Sequence, residues 1–354
     1  MASIRFLITG DLQIHPWRQF AYTTKSGMNS RLVNCLKVLK FCRQTAQERG
    51  IDKLLLNGDI LEESDYINVE TYDGLYTELE RIHNAGIETV INLGNHDVYG
   101  ESGGRILHAL RALRGVAVIV EKPTLVWKAV QVVPWCSSVS KFRSQIQSLD
   151  ASKQHCLVLH CGVQGAVTGP KNYLVRNPIK LEDIRWREFG LVLLSDYHTR
   201  QRLAKNPDVQ YLGSPIQHSF GEIHRPCIWD ICLDREGLFA CNKVYSSFPR
   251  FRRVTATNSD KFYADTRRFV GDYVSVSIGK GGDVSEKEVQ RIAKDIGFQV
   301  EIRRAGEEAE LEIQDSKSLS FKQAMKKYVR SNVKSESKRG KLLRLGWKIF
   351  NGET

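Results

Sequence analysis

The feature that most constrains how this 354-residue chain can fold is a repeated ending: short apolar runs that stop abruptly in polar side chains. The run Glu88-Thr89-Val90-Ile91-Asn92-Leu93 stops at Gly94-Asn95-His96-Asp97. A strand that ends this way delivers an amide, an imidazole and a carboxylate to the carboxyl edge of a sheet, where ligands collect in open α/β sheets. Taken alone, the tetrapeptide equally fits a polar turn. The pattern recurs upstream: Ile4 to Thr9 leads into Gly10-Asp11-Leu12-Gln13, and Lys53 to Leu56 leads into Asn57-Gly58-Asp59. Downstream, Cys156 to Leu159 ends in His160, and Leu191 to Leu194 ends in Ser195-Asp196-Tyr197-His198. Chance does not readily give such a series.

Between the first three strands the period changes to that of a helix. Leu32, Cys35, Leu36, Leu39 and Cys42 predict a helix stopped by Gly50. Val69, Tyr72, Leu75, Tyr76, Leu79 and Ile82 predict a second, with one apolar face and Gly86 as its stop. A further helix is expected around Arg105 to Leu113, then strands over Val116 to Val120, Leu125 to Val133, Cys227 to Leu233 and Leu238 to Tyr245. Alternating strand and helix followed by strand-rich segments predicts an α/β chain with two packed mixed sheets flanked by helices.

Near Phe248-Pro249-Arg250-Phe251 the chain changes character, which divides it into 1–250, 251–315 and 316–354. The middle unit is expected to be a small α+β domain. Tyr273 to Ile278 alternates as a strand, and Ser285 with Glu288 reads as a capping box on a helix ending at Gly297. Phe298 to Ile302 and Ala309 to Ile313 read as further strands. The last segment reads as helix, polar linker, helix, with Phe321, Met325, Tyr328 and Val329 on the first and Leu342, Leu343, Leu345, Trp347, Ile349 and Phe350 on the second. Two short helices cannot bury such side chains alone. They pack on the small domain or dock on a partner's helix or coiled coil.

The formal net charge is +12, and Ser316 to Thr354 carries eleven Lys and Arg against two acids. Such a surface favours nucleic acid or an acidic partner, with a solvated basic tail as the plainer reading. No apolar run approaches the roughly 20 residues of a membrane helix. The eight cysteines form no CxxC pair and read as small buried hydrophobes in a reducing, cytoplasmic compartment.

Asp11, Gln13, Asp59, Asn95, His160, Asp196 and His198 together offer carboxylates, imidazoles and amides, with no thiolate. That set suits Mn²⁺, Mg²⁺ or Fe²⁺ better than structural zinc. Two such ions roughly 3.5–4 Å apart can share one carboxylate, and Asp59 is the natural bridge. His96 is placed to protonate a leaving oxygen, with Asp97 holding its other nitrogen. Four other histidines read more plainly: His15 as part of an exposed turn before Pro16, His83, His108 and His155 as surface or packing residues. His218 and His224 are candidates to line a groove, and Glu62, Glu63 and Asp65 read as a solvated loop.

Asp11-Leu12-Gln13, Gly58-Asp59, Gly94-Asn95-His96-Asp97, His160 and Asp196-Tyr197-His198 stand in an order that resembles the calcineurin-like metallophosphoesterase superfamily. Within it the chain looks like the SbcD-type nucleases, most of all the phage recombination endonuclease subunits. Tyr211-Leu212-Gly213-Ser214-Pro215 and Phe220-Gly221-Glu222 resemble a stretch that those nucleases carry after their last metal motif. The resemblance implies a metallophosphoesterase β-sandwich with a small cap domain, two divalent ions (Mn²⁺ by preference), a homodimer, and final helices docked on the coiled coil of an SMC-like ATPase. It implies a nuclease acting on DNA in repair and recombination, located in the host cytoplasm if phage-encoded. By position, Asp11, Gln13, Asp59 and His198 would surround one ion, and Asp59, Asn95, His160 and Asp196 the other. Gln13 stands where the family usually has a histidine, and so does Asp196. An amide is a poorer ligand than imidazole, whereas an added aspartate could tighten a hard ion. Two competing functions remain: a small-molecule phosphodiesterase, and a DNA-binding scaffold with a decayed metal site.

Overall fold

The computed structural model describes residues 3–102, 105–150, 156–169, 173–174, 178–234, 239–279 and 282–303, with residues 329, 339–340 and 342–343 near the C-terminus. The expected strand Ala309 to Ile313 and most of the two final helices lie outside the described residues.

Two six-stranded sheets form the centre. In the first, the strands run in the order Phe239–Tyr245, Cys227–Leu233, Ile4–Thr9, Lys53–Asn57, Glu88–Asn92, Val118–Val120. The last four are mutually parallel, and the first two add antiparallel strands at one edge. In the second, the order is Gln201–Lys205, Asp208–Tyr211, Leu191–Ser195, Cys156–His160, Val130–Val133, Thr124–Val126. Its four central strands are parallel and both edges are antiparallel.

Alternation along each strand assigns the layers, because successive side chains point to opposite faces. Phe6, Ile8, Leu55 and Val90 face inward and meet Val130, Val132, Val158, Leu191 and Leu193 of the other sheet. Leu7, Leu54, Leu56 and Ile91 face outward onto the helices Ser30–Arg49 and Val69–Asn84. On the far side Leu157, Leu159, Val192 and Leu194 pack with the helix Val139–Gln147 and the 3₁₀ turns after it. Each central strand is therefore buried on both faces, which is why the sequence shows continuous apolar runs.

The first helix is capped by Asn29, whose side chain accepts from the N–H groups of Arg31 and Leu32, and closed by Gly50 in the left-handed region at φ 63°. In the second helix Leu75, Leu79 and Ile82 are buried, but Val69 in its first turn and Tyr76 are exposed. Two expectations are corrected. The segment expected as a helix from Arg105 to Leu113 is instead the short strand Arg105–Leu107, paired with Gly100–Ser102, followed by the 3₁₀ helix Ala109–Gly115. Leu110 and Leu113 are three residues apart, a spacing that a 3₁₀ turn also aligns on one face. The expected single strand Leu125 to Val133 is a hairpin, because Trp127 and Lys128 adopt left-handed backbone and reverse the chain.

Phe251–Ala256, Tyr273–Ile278 and Gln299–Arg303 make a small, wholly parallel sheet, crossed by the helices Ser259–Thr266 and Glu286–Ile296. Ser285 caps the second helix by accepting from the Glu288 N–H. A ring cluster joins this sheet to the sandwich: Phe20 stacks on Tyr273, and Phe220 meets Phe251 edge-on. Arg31 lies in it, 2% exposed, its guanidinium 4.7 Å from the Tyr273 ring centre.

A polar staple ties the two sheets where their strands end. Asn57 Nδ2 donates across the gap to the Leu159 carbonyl at 2.9 Å and to Ser195 Oγ at 3.0 Å. Asn92 Nδ2 donates to Asn57 Oδ1 at 2.9 Å and to the Val133 carbonyl at 3.1 Å. Asn57, Asn92 and Ser195 are fully buried, so a missing partner costs the desolvation of each orphaned group. Asn57→Ala should lower unfolding free energy by about 1–3 kcal/mol or more, read as a fall in the urea midpoint with an unchanged slope.

Candidate active site

The parallel strands of both sheets deliver their carboxyl ends to one edge, just above the staple. Asp11, Asp59 and His160 follow or end three of them, and each offers a ligand atom within 4.8 Å of the other two. His160 Nδ1 donates to the Asn57 carbonyl at 2.9 Å, which turns Nε2 toward Asp59 Oδ1 at 3.3 Å and Asn95 Oδ1 at 3.2 Å. The Asp196 N–H donates to Asp11 Oδ1 at 3.0 Å, which brings the end of Leu191–Ser195 to the same cluster. Gln13 is buried at that edge, its N–H donating to the Asp59 carbonyl.

Close approach here depends on backbone geometry that side chains resist. Asp11, Gln13, Asp59 and Asp196 all take positive φ, at 54°, 42°, 50° and 109°. Non-glycine residues in these regions carry strain that a surrounding structure must hold, and such strain clusters at functional sites. Two glycines make room. A Cβ on Gly58 would enter the His160 ring, and a Cβ on Gly94 would enter the Asp59 carboxylate.

The electrostatics follow from packing carboxyl groups out of water. Burial, helped by the charges of Asp59 and Asp196, pushes the Asp11 carboxyl up to about 6 against the pull of His160 and His198. Burial also raises Asp196. Asp59 goes the other way: burial opposes it, yet His160 and His96 hold it below its usual value. Burial works to lower the His160 pKa, but the Asp59, Asp11 and Asp196 charges carry it well above the ordinary value. The cluster is thus short of positive charge. Asp11 Oδ2 is buried without a hydrogen-bond partner. An orphaned carboxylate oxygen among oxygen and imidazole donors is what a divalent cation fits.

His198 and His96 are each turned by a glutamate residue. His198 Nδ1 donates to Glu222 Oε1 at 2.9 Å, and Glu222 also accepts from Ser214 Oγ and the His218 N–H. This leaves His198 Nε2 for the site. Burial works to lower His198, but Glu222, Asp11 and Asp59 push it up to about 9, while its contact with His198 helps bring Glu222 down to about 2 against burial. His96 Nδ1 meets the Glu62 carbonyl at 2.6 Å, with the Glu62 carboxylate 3.9 Å away. Glu62 is therefore half-buried behind His96 rather than part of a solvated loop.

Asp97 differs from its expected role. Its Oδ1 accepts from the Ile60 and Leu61 N–H groups and its Oδ2 from the Gly94 N–H, so neither oxygen holds the His96 ring. It braces the loop after Asp59 against the turn carrying Asn95 and His96. His218 lies behind the site with Nε2 on the Asp11 carbonyl, and His224 Nε2 is on the Ser214 carbonyl. His15 packs edge-on against Trp17. A recess of about 440 Å³ opens beside His96, lined by Glu62, Glu63, Ser64, Asp65, Asn95 and Tyr99.

The model of the calcineurin-like phosphoesterases matches residues 4–210, well over half of the sequence. The chain belongs to that family. Its members use a dimetal site, and the Asp11–Asp59–His160 triad is a candidate for part of one. Among solved structures, it is similar to a dimetal phosphatase from Danio rerio (12% identity, 69% of this chain and 99% of that one, TM-score 0.40). It is also similar to the nuclease MPE from Pseudomonas putida (12% identity, 63% of this chain and 83% of that one, TM-score 0.30). No curated protein matches. Among the described residues no helix is long and apolar enough to cross a membrane.

Glu222, Glu62, Asn57 and Ser195 were the residues that motif reading missed as parts of the site. Asn57 and Ser195 had a signal as polar residues ending apolar runs immediately before the motif residues, and Glu222 lay in the Phe220-Gly221-Glu222 stretch without a role being assigned to it. Partners that orient a metal-binding imidazole are typically worth about 10–100-fold in metal affinity. Glu222→Gln should therefore weaken Mn²⁺ binding by about that factor in a calorimetric titration; unchanged affinity would remove Glu222 from the site.

Proposed function

We propose that this phosphoesterase is a metal-dependent nuclease that hydrolyses the phosphodiester bonds of DNA. The hydrolytic half of the reading rests on the family and on the buried triad with its orphaned Asp11 oxygen. The substrate half is carried by charge: a net +12, with the excess concentrated from Ser316 to Thr354. A polyanion is the substrate such a surface attracts. The basic, apolar C-terminal segment is the part we assign to an SMC-like ATPase partner.

Asp11, Gln13, Asp59 and His198 would hold one divalent cation and Asp59, Asn95, His160 and Asp196 a second, Mn²⁺ in the first instance. Bound there, the pair would acidify a water and draw charge from the phosphate oxygens. Everything else falls to the chain. Asp59 would serve both cations, and its Oδ1 accepts from the His96 N–H at 3.0 Å, which ties the acid to that carboxylate. The His96 ring is the proton donor to the leaving oxygen: Nδ1 is spent on Glu62, leaving Nε2 for the substrate. Burial works to lower the His96 pKa, but Asp59 and both groups of Glu62 carry it above its ordinary value, which favours the charged donor form.

A small phosphodiester is the second reading, favoured by the acidic lining of the recess beside His96, which a polyanion would meet unfavourably. Cleavage of linear DNA beside a chromogenic phosphodiester separates the two. Preference for DNA supports the nuclease; equal or exclusive turnover of the small ester overturns it. Asp59→Asn should cut DNA cleavage by at least about a hundredfold with an unchanged melting temperature, and full activity would sink the bridging role. His96→Ala should keep Mn²⁺ affinity while slowing kcat by about 10²–10⁴-fold. Lost metal binding would instead make His96 a ligand.

A further inference from the structure

The antiparallel edge strands Phe239–Tyr245 and Gln201–Lys205 of the two sheets lie near each other, since Cys241 of the first feels Arg202 of the second and Asp208 beside it, and cations gather there. The Arg225 guanidinium lies 4.3 Å from the Tyr245 ring centre, and that of Arg200 lies 5.9 Å from it. Arg200 Nη1 donates to the Arg225 carbonyl at 3.2 Å and to Cys227 Sγ at 3.2 Å, which fixes the two arginines beside each other. Lys243 Nζ sits 5.1 Å over the Trp229 ring, one step along the same face, since Trp229 pairs with Lys243 and Cys227 with Tyr245. The charges of Arg200, Lys243 and Arg225 all reach the Cys227 thiol. Arg250 adjoins them, close enough to feel Arg225 and Arg252.

The nearby acids are already committed. Asp208 pairs with Arg202, and Asp272 with Arg252. Among the described residues no carboxylate forms an ion pair with Arg200, Arg225 or Lys243. Arg225 and Lys243 are exposed, and Tyr245 is 41% exposed between them. Like charges held side by side repel, and the positive potential they sum to attracts a polyanion. The cluster also leads to the site. Arg200 follows His198 by two residues, and the imidazole of His224, next to Arg225, feels both Arg200 and His198.

We propose that Arg200, Arg225 and Lys243, with the Tyr245 ring between them, form a track that grips the phosphodiester backbone of a nucleic-acid strand and leads it past His198. This deepens the nuclease reading and rests on it. A row of cations with an interleaved aromatic face is the pattern of single-strand binding, where phosphates take the charges and a base can take the ring. In the strand order of the first sheet the track sits at the Phe239–Tyr245 edge, whereas the acidic recess follows Glu88–Asn92, with three strands between them.

The test uses the full chain and a fluorescent single-stranded oligonucleotide, with binding read by anisotropy across a salt series in the presence of a chelator. The double variant Arg225→Ala with Lys243→Ala should bind about tenfold or more weakly. Its slope of log affinity against log salt should fall by about 1.4, at roughly 0.7 per phosphate contact. The charge-preserving pair Arg225→Lys with Lys243→Arg should keep the wild-type slope. An unchanged slope in the alanine variant overturns the track and leaves the cluster to an acidic protein surface. A slope lost equally in the charge-preserving pair also overturns it, since charge is then not what binds. Wild-type chain that fails to bind DNA at all overturns the nuclease reading itself, a result distinct from either.

Discussion

The candidate site hangs on one side-chain amide. Asn57 sits at the end of a strand of the first sheet and reaches into the second through the Leu159 carbonyl and Ser195 Oγ, while its own carbonyl accepts from His160. One residue thus sets the distance between the sheets and the tautomer of the imidazole between them. Apolar packing between sheets is non-directional and tolerates sliding. A buried polar staple does not, because any slip leaves several groups without partners at once. Asp59 follows Asn57 by two residues, so its carboxylate inherits that precision.

Above the staple the chain spends conformational energy to concentrate charge. Four residues of the cluster hold left-handed or similarly strained backbone, and two glycines give way so that His160 and Asp59 can come close. Carboxyl groups packed so tightly would rather be neutral, and Asp11 and Asp196 are pushed that way by burial. A site like this is built to bind positive charge, and its strain is held by the sandwich around it. Each imidazole of the candidate site is aimed by a partner on its Nδ1: the Asn57 carbonyl for His160, Glu222 for His198, the Glu62 carbonyl for His96.

The two positions that depart from the usual pattern of the family lie within this frame. Asp196 approaches Asp11 through its own N–H, and Gln13 lends its N–H to the carbonyl of Asp59. Both contribute backbone contacts that do not depend on their side chains. That explains how the architecture can accept an amide and a carboxylate where imidazoles usually stand.

Local sequence determined a great deal here. Strands buried on both faces must be continuously apolar, so their ends were visible as abrupt changes to Gly-Asp, Gly-Asn-His-Asp or His, and seven candidate ligands could be named from those ends. Helix stops at Gly50 and Gly297 were equally local, because left-handed backbone there selects glycine. What only the tertiary structure decided was everything that depends on partners distant in sequence. The Leu125 to Val133 run reads as one strand, yet two left-handed residues fold it into a hairpin. Asp97 stands beside His96 in sequence, but three N–H groups take its oxygens first. Glu222 lies 24 residues beyond His198 with no spacing to link them, and the cations that meet around Tyr245 come from separate loops and strands. Strand ends are written in consecutive residues; the choice of which side chain satisfies which buried group is made by packing, where the nearest neighbour in space is rarely the nearest in the chain.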